Sequence, residues 1–469
     1  MDARPTTTRS LSRVPTLVVG SLALAVVLAS AGLVSCRSGS GSGSPGRPPI
    51  PPDPELVRVP AGAGIEAEPL LVAPVPISEP DVRVRVLAGV GGALVEAGAI
   101  AELVDDRGRT WRVMTPARVE RTPTGFVVRA VGRASANAVE IESRTLRLMG
   151  GTVDGALLPG RIDFVERAGG SSSEGPAFDV IAELPLEVYV TGVVQREVFP
   201  HWPAEALRAQ AVAARSYALH TRALSRAAAR GHDLESTTVD QAFAGVGTDP
   251  RVVDAVRATR GRVLAFESQV LRAYYHSTSG GRSAGAAEVW PTGPGFEYNR
   301  VAPLQAGLDA GTRVHASDDS PSHRWSRDRG RERLSLRIRR FGEEQGRATK
   351  NLRTLATVET TERNATGRPV RYRLVDVNGE SAELSAEELR LACNWPVPGV
   401  PGVTRATRVR SGDLSVRFSG SRALIEGRGF GHGVGMCQYS AAGLARDGWT
   451  HADILHNFYP GATLLDAYP

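Results

Sequence analysis

The pattern of apolar and polar positions predicts a β-rich region in the first half of the chain. From about Asp81 to Arg167, short alternations such as V-R-V-R-V-L and G-F-V-V-R-A-V are broken by Gly and Pro. Alternation with a period of two is typical of strands that bury one face. We therefore expect several short strands in this region.

A helix is predicted next, in the segment L-P-L-E-V-Y-V-T-G-V-V-Q-R-E-V. Its many valines favour a strand, but its apolar residues recur at spacings of three and four, which places them on one helical face. Pro185 stands where a first helical turn tolerates proline. The residues of the shared face are Val190, Val193, Val194 and Glu197.

A second, alanine-rich helix opens at Pro203, because alanine has the highest helix propensity and proline fits a helix start. One face of this helix is apolar along its length except for an arginine, and we expect that face to be buried. Its members are Leu207, Ala211, Ala214, Arg215 and Ala218.

The remainder predicts a mixture of strands and short helices. Strand patterns return after Gly261, residues 300–420 form an inserted β-rich region, and Ser440–Ala445 and His451–Phe458 predict two short helices. The fold class that these patterns favour is α+β, with a packed helical pair that carries Glu197 against β-rich segments.

The N-terminus has the pattern of an export signal. Residues 1–35 join a basic head to an apolar stretch and end in small residues before Cys36, which is typical of a lipoprotein signal peptide. An uncleaved anchor is the alternative. Residues 36–56 form a Gly/Ser/Pro linker, and one domain is predicted over 80–469. The protein is thus expected to be exported and lipid-anchored to the cell envelope.

Charge bears on whether the protein binds nucleic acid, and the cysteine count bears on whether it contains a disulfide. The formal net charge is only +6, the positive residues are scattered, and Lys350 is the single lysine, so nucleic-acid binding is not expected. If Cys36 carries lipid, Cys393 and Cys437 remain. In an oxidising compartment these two cysteines could form a disulfide, or they could be separate thiols.

Glu197 is the first candidate for chemistry. A carboxyl group on an apolar face, followed by V-F-P-H-W-P, is desolvated, which raises its pKa and suits a general acid. The alternative is a structural ion pair with an inward-facing Arg215.

The segment Y-Y-H-S-T-S-G-G-R contains His276 and Ser277 before a turn at Gly280 and Gly281. Adjacent residues of a strand point to opposite faces, so a direct pair of His276 and Ser277 is disfavoured. No Cys, His or Asp stands nearby at the spacing of metal ligands. Hydrogen bonds that hold the loop are the simpler interpretation.

The third candidate is the run E-G-R-G-F-G-H-G-V-G-M-C-Q, with glycine at every second position and His432 and Gln438 among the glycines. A strand of this kind would have one face without side chains. A ligand or another backbone could then approach closely, and both remain open. The glycines are Gly427, Gly429, Gly431, Gly433 and Gly435.

Together these segments resemble the sporulation stage II protein D (SpoIID) / LytB amidase-enhancer family. Four stretches carry the resemblance in family order. They are L-E-V-Y-V-T-G-V-V-Q-R-E-V-F-P-H-W-P-A-E-A-L-R-A-Q-A-V-A-A-R-S-Y-A, D-Q-A-F-A-G followed by A-V-R-A-T-R-G-R-V-L, H-S-T-S-G-G-R-S with E-V-W, and G-R-G-F-G-H-G-V-G-M-C-Q-Y-S-A-A-G ending N-F-Y-P-G-A-T.

The resemblance implies a protein that acts on peptidoglycan. Sporulation members are lytic transglycosylases that cleave between N-acetylmuramic acid and N-acetylglucosamine and leave a 1,6-anhydro end, and the family's catalytic glutamate matches Glu197. One carboxyl group can serve as acid and then as base, which departs from the usual scheme of two carboxylates.

The resemblance also implies that the glycine run forms one wall of a glycan groove opposite Glu197. Some members bind metal beside the His-Ser segment through cysteines, but Ser279 stands at that position here, so no metal or other cofactor is expected. The substrate-binding residues implied are Gln210, Arg215, Gln241, His276, Ser277, Gly280, Gly281, His432 and Gln438.

Three functions remain open at this point. The first is a lytic transglycosylase, and the second is a non-catalytic glycan binder that stimulates a cell-wall amidase. The third is a structural lipoprotein. The expected partners are peptidoglycan glycan strands, a cell-wall amidase and the membrane through the N-terminal lipid.

Overall fold

The computed structural model describes residues 73–132, 138–167, 176–306, 317 and 319–469. The contacts of the chain separate Met1–Ser44 from Pro45–Pro469, and all described residues belong to the second unit. The predicted signal peptide, Cys36 and the linker lie outside the described residues. Within the described ranges, no helix is both long enough and apolar enough to cross a membrane.

The first part of the described chain is a large, mainly antiparallel sheet, as its alternating pattern predicts. Val82 and Val84 are buried in β1, and Arg83 between them is partly exposed. The strands, in chain order, are β1 (Asp81–Val90), β2 (Gly92–Glu96), β3 (Ile100–Asp105), β4 (Thr110–Met114), β5 (Ala117–Arg121), β6 (Phe126–Ala130), β7 (Val139–Ile141), β8 (Thr145–Val153), β9 (Ala156–Glu166), β10 (Phe178–Pro185) and β11 (Leu234–Glu235).

Hydrogen bonding orders this sheet as β11-β1-β10-β9-β8-β2-β5-β6-β7, with β3 paired to β8 and β4 paired to β3. The long antiparallel pair β1–β10 aligns Asp81 with Pro185. Because β10 ends at Pro185 and the next residue begins a helix, this pairing fixes where that helix leaves the sheet.

The predicted helical pair is confirmed as α1 (Leu186–Glu197) and α2 (Ala204–Ala227). Pro185 and Pro203 are their N-caps. Tertiary packing overrides the strand preference of the valines in α1. Every residue of the apolar face predicted for α2 is buried, and its alanines let neighbouring elements approach closely. Packed around α2 are α1, α3 (Pro250–Ala258) and the two helices closest to the C-terminus.

The rest of the chain forms short strands and helices, so the described fold is mixed α/β. The predicted strand over residues 270–277 is reduced to two short pieces. The strands are β12 (Arg262–Phe266), β13 (Gln269–Val270), β14 (Tyr275–His276), β15 (Arg324–Gly330), β16 (Leu355–Arg363), β17 (Pro369–Asp376), β18 (Ser381–Ser385), β19 (Leu414–Ser419), β20 (Arg422–Arg428), β21 (Met436–Cys437) and β22 (Thr463–Asp466). The helices are α4 (Ala286–Val289), α5 (Arg331–Gln345), α6 (Ala386–Cys393), α7 (Gln438–Arg446) and α8 (His451–Phe458), with 3₁₀ turns at Glu297–Arg300, Ala302–Leu304 and Ala348–Asn351.

These strands form small separate sheets. β12 lies between β13 and β22, β14 pairs with β21, β20 lies between β15 and β19, and β17 lies between β16 and β18. Two hydrophobic cores result. One joins the large sheet to α1, α2, α7 and α8, and the other lies among β15–β20, α5 and α6.

The two described cysteines belong to different cores and are not bonded to each other. Cys393 is buried in the second core and Cys437 in the first, and both are free thiols. Burial raises the pKa of Cys393 to about 12. The disulfide alternative is therefore wrong for this structure, because each cysteine fills a place in its own core.

A buried ion pair joins α1 to α2. Arg215 is fully buried and donates from Nε and Nη2 to the two carboxylate oxygens of Glu187, both at 2.7 Å. Tyr468 also donates to Glu187, at 2.7 Å. Burial opposes ionisation of Glu187, but these partners hold its pKa below the ordinary value. Arg215 is therefore neither the partner of Glu197 nor able to reach a substrate, and both expectations for it are corrected.

We predict that Arg215→Ala lowers the free energy of unfolding by about 3–5 kcal/mol, because it leaves Glu187 buried without its counter-charge. Urea denaturation of residues 45–469 measures this change. Arg257→Ala on α3 is the matched control, since Arg257 and its partner Asp254 are largely exposed. The control should change the free energy by less than about 1 kcal/mol. Equal effects of the two substitutions would contradict the structural role of the pair.

Candidate active site

Glu197 is the last residue of α1, and its half-buried side chain is held by two distant segments. The backbone N–H of Ala242 donates to Oε1 at 2.8 Å. The side-chain amide of Gln438, the first residue of α7, lies 3.5 Å from Oε2. No ion pair involving Glu197 is found among the described residues, so its carboxylate is stabilised by neutral donors alone.

Burial raises the pKa of Glu197, and the hydrogen bonds from Ala242 and Gln438 only partly oppose this effect. A carboxyl group that stays protonated at higher pH than usual can donate a proton to a substrate oxygen and take one back later. The structure thus gives Glu197 the property that the sequence pattern predicts for a general acid.

Gln438 connects Glu197 to a second predicted residue. Its Nε2 lies 3.4 Å from Oε1 of Gln210, a fully buried residue of α2. The Nε2 of Gln210 has no hydrogen-bond partner among the described residues. Gln210 therefore lies behind Gln438, where it orients the amide that faces Glu197 instead of contacting solvent.

Gln241 is also fully buried, and it fixes two tyrosines that the sequence analysis did not select. Its Oε1 accepts from the hydroxyl of Tyr189 at 3.2 Å, and its Nε2 donates to the hydroxyl of Tyr275 at 2.9 Å and to a carbonyl of α2 at 3.2 Å. The substrate contact expected of Gln241 is therefore corrected to a positioning role.

Tyr275 is a candidate active-site residue that the sequence did not indicate. Burial raises its pKa well above the ordinary value, and the nearby charge of Glu197 raises it further. Its neutral phenol is half-buried and close enough to Glu197 to respond to that charge. The only signal for it was the Tyr-Tyr pair directly before His276.

His276 and Ser277 are structural in this arrangement. His276 is buried and its Nδ1 donates to the carbonyl of Val434 at 3.1 Å, while the hydroxyl of Ser277 contacts Thr278 at 3.4 Å. Gly280 and Gly281 form the turn, both with positive φ. The described residues hold no group of three or more His, Cys, Asp or Glu side chains arranged to bind a metal ion.

The glycine run is not the strand that its alternation suggests. Only Gly427 lies in a strand, and the four later glycines all have positive φ between 66° and 104°. A Cβ at Gly435 would lie 2.0 Å from the carbonyl oxygen of Tyr274, and one at Gly429 would lie 2.5 Å from that of Thr278. Of the two alternatives, close packing against another backbone is therefore correct, and the expected bare groove wall is wrong.

His432 lines a cavity whose lining residues do not include Glu197. The His432 ring is 4.8 Å from that of Trp290, and the cavity has a volume of about 290 Å³ and is also lined by Arg272, Tyr274 and Tyr275. Burial and the nearby arginines lower its pKa to about 3, so it is neutral. The binding of glycan by His432 therefore stays a prediction. Tyr275 lines the same cavity and also lies near Glu197.

An aromatic cluster adjoins Glu197 on the connection between α1 and α2. The ring of Phe199, half of which is exposed, lies 5.4 Å from that of Trp202 and 6.5 Å from that of Tyr439. His201 lies 5.5 Å from Phe199 and is exposed. The sequence pattern indicates these rings only as a source of desolvation for Glu197, but Phe199 and His201 are exposed at the surface.

A protein-family model matches the part of the chain that holds Glu197. Residues 174–266 match the model described as SpoIID, stage II sporulation protein. Residues 174–266 are a SpoIID domain. The domain contains α1 with Glu197, the aromatic connection, α2 and Ala242, so the resemblance to the SpoIID / LytB amidase-enhancer family is confirmed.

Curated relatives extend the match beyond that domain. Stage II sporulation protein D of Bacillus subtilis is 25% identical over 301 residues, which cover 61% of this chain and 76% of the relative. The amidase enhancer of Bacillus subtilis is 25% identical over 288 residues, 58% of this chain and 40% of that longer protein. An uncharacterized protein of Brachyspira hyodysenteriae is 25% identical over 291 residues, 61% of this chain and 68% of its own length.

We predict that Glu197→Gln makes the protein, measured as residues 45–469, more stable than wild type at pH 8 but not at pH 4. Because the folded-state pKa of Glu197 is raised, its contribution is fully present below the ordinary value of 4.5 and is lost as the pH rises through the folded value. Urea denaturation of both proteins across this range measures the difference.

Glu235→Gln is the control of opposite sign. Burial opposes ionisation of Glu235, but His232 and Arg85 hold its pKa at about 2. This variant should be less stable than wild type at pH 8, with a deficit that shrinks as the pH falls. The assignment for Glu197 fails if its variant follows the same trend as Glu235→Gln.

Proposed function

We propose that this protein is a peptidoglycan lytic transglycosylase that uses Glu197 as its only catalytic carboxyl group. The observation that supports this most directly is the environment of Glu197, a carboxyl group with a raised pKa, neutral hydrogen-bond donors and an aromatic surface beside it. The family relationship supplies the substrate class. The protein is further proposed to be exported and held at the cell envelope by lipid on Cys36.

In the first step, the protonated Glu197 donates its proton to the glycosidic oxygen between N-acetylmuramic acid and N-acetylglucosamine. The bond from C1 of muramic acid to that oxygen breaks, and N-acetylglucosamine leaves with a free 4-hydroxyl. Positive charge develops at C1. Ala242 and Gln438 then stabilise the carboxylate that remains on Glu197.

In the second step, the 6-hydroxyl of the same muramic acid attacks C1 and its proton passes to the Glu197 carboxylate. The 1,6-anhydro ring closes, Glu197 is protonated again, and no water is consumed. A second carboxylate to activate water is unnecessary in this scheme. This agrees with the neutral neighbours of Glu197, which are Gln438, Tyr275 and the aromatic cluster.

The aromatic cluster is proposed to hold the glycan. Sugar rings have flat faces of C–H groups that pack on aromatic rings. Phe199 is exposed and Tyr439 partly exposed, and they closely follow Glu197 and Gln438 in the chain. Trp202 is almost fully buried and packs edge-to-face against both rings. Its ring lies 5.4 Å from that of Phe199 and 5.0 Å from that of Tyr439. Binding energy from this surface would fix the glycosidic oxygen near Glu197.

A second candidate function is the stimulation of a cell-wall amidase without catalysis. It is favoured by one finding, the similarity to a relative named amidase enhancer. In that case the aromatic cluster would still bind glycan, but Glu197 would have no turnover. Both functions therefore require glycan binding, but only the transglycosylase would release 1,6-anhydro-muramic ends.

We predict that residues 45–469 release 1,6-anhydro-muramic ends from peptidoglycan and that Glu197→Gln abolishes them, because the amide cannot donate the proton. Mass spectrometry of digests of intact and amidase-stripped peptidoglycan measures the product. Glu102→Gln, a change at an exposed glutamate of β3, is the control and should keep wild-type activity.

Absence of anhydro product on both substrates, with binding to stripped glycan retained, would favour the amidase-enhancing function. A variant at Glu197 that stays as active as wild type would reject Glu197 as the acid.

We also predict that Phe199→Ala weakens glycan binding about tenfold, because it removes the exposed ring of the aromatic cluster. Phe296→Ala is the matched control, since Phe296 is similarly exposed but lines the separate cavity with His432. Sedimentation with amidase-stripped glycan measures both. If only Phe296→Ala weakens binding, the glycan follows the His432 cavity instead.

A further inference from the structure

A second concave surface lies away from Glu197, at the edge of the small sheet β15–β20–β19. This cleft has a volume of about 720 Å³ and opens widely to solvent. Four of the residues that line it are arginines, and two are acidic. They are Arg282, Arg324, Arg363 and Arg428, with Asp413 and Glu426.

Two of the arginines are placed directly opposite each other by strand register. Arg324 begins β15 and Arg428 ends β20, and the antiparallel pairing aligns them. Like charges opposite one another in a sheet are destabilising. Burial lowers the pKa of Arg428, and the positive charges of Arg282 and Arg324 lower it further. The fold thus holds Arg324 and Arg428 opposite each other despite the repulsion between their charges.

The other two arginines converge from a loop, which holds Arg282, and from the end of β16, which holds Arg363. Arg282 and Arg363 each donate from Nη1 to the carbonyl oxygen of Gly367, both at 3.0 Å. Two guanidinium groups therefore share one backbone acceptor, which places their remaining donors close together.

The acidic residues of the cleft compensate for little of this charge. Asp413 is almost fully buried, and its Oδ1 lies 3.6 Å from Nη1 of Arg282. Glu426 is paired instead with Arg417, at 2.8 Å, which is not among the lining residues. Positive charge therefore dominates the cleft.

We propose that this cleft binds a phosphate group, either free or carried on a polymer. The forked donors of arginine match the oxygens of phosphate, and one tetrahedral phosphate can accept from several guanidinium groups at once. A bound phosphate would relieve the repulsion between Arg324 and Arg428. The inference does not depend on the reaction proposed for Glu197.

The test is isothermal titration calorimetry of residues 45–469 with inorganic phosphate, poly(glycerol phosphate) and acetate, each at constant ionic strength. We expect phosphate or its polymer to bind at least tenfold more tightly than acetate. The double variant Arg324→Gln/Arg428→Gln should weaken that binding at least tenfold. Arg422→Gln, at the exposed opposite end of β20, removes one positive charge outside the cleft and should change binding less than twofold.

A thermal melt distinguishes loss of the site from loss of the fold. Because the double variant removes two opposed like charges, it should melt no lower than wild type, and phosphate should raise the melting temperature of wild type alone. Tighter binding of the polymer would identify a polymeric phosphodiester as the ligand, and equal binding would identify a single phosphate group. Equal affinity for acetate, equal weakening by Arg422→Gln, or no binding of either phosphate probe would overturn the proposal.

Discussion

The contact between the glycine run and the backbone of residues 274–279 holds the candidate active site together. Thr278 and Phe430 exchange two backbone hydrogen bonds, and β14 pairs in parallel with β21. Only chain without side chains can approach this closely, so the glycines are required by packing and by their positive φ. Because α7 begins directly after β21, this contact delivers Gln438 to Glu197 from 241 positions away.

Two glutamates of α1 have pKa values that are shifted in opposite directions. Around Glu187 burial is offset by a full ion pair with Arg215, and the carboxylate stays charged. Around Glu197 the described residues supply only neutral donors, and burial raises its pKa. Both glutamates lie on α1, one near each end. The difference between a structural carboxylate and a candidate acid is therefore made by the partners that α2 and α7 supply.

Local patterns predicted much of this fold. The alternation in β1, the spacing of the valines in α1 and the alanines of α2 each carry their own periodicity, and the structure follows them. The desolvation of Glu197 could also be inferred, because its apolar neighbours are adjacent in sequence. The roles of Arg215 and Gln241 could not, because their partners are set by tertiary packing between segments far apart. The alternation of the glycines was misleading, because positive φ leaves no pattern of period two or 3.6.

The C-terminal strand has a consequence for how the protein is made. β22 pairs with β12, and Tyr468 donates to Glu187 across 281 positions. Gln438 and Tyr468 are both synthesised long after α1 and α2. A nascent chain can therefore form the large sheet and its first helices, while the surroundings of Glu197 stay incomplete until Gln438 has been translated. A chain that stops before Gln438 would carry Glu197 without the amide that faces its carboxylate.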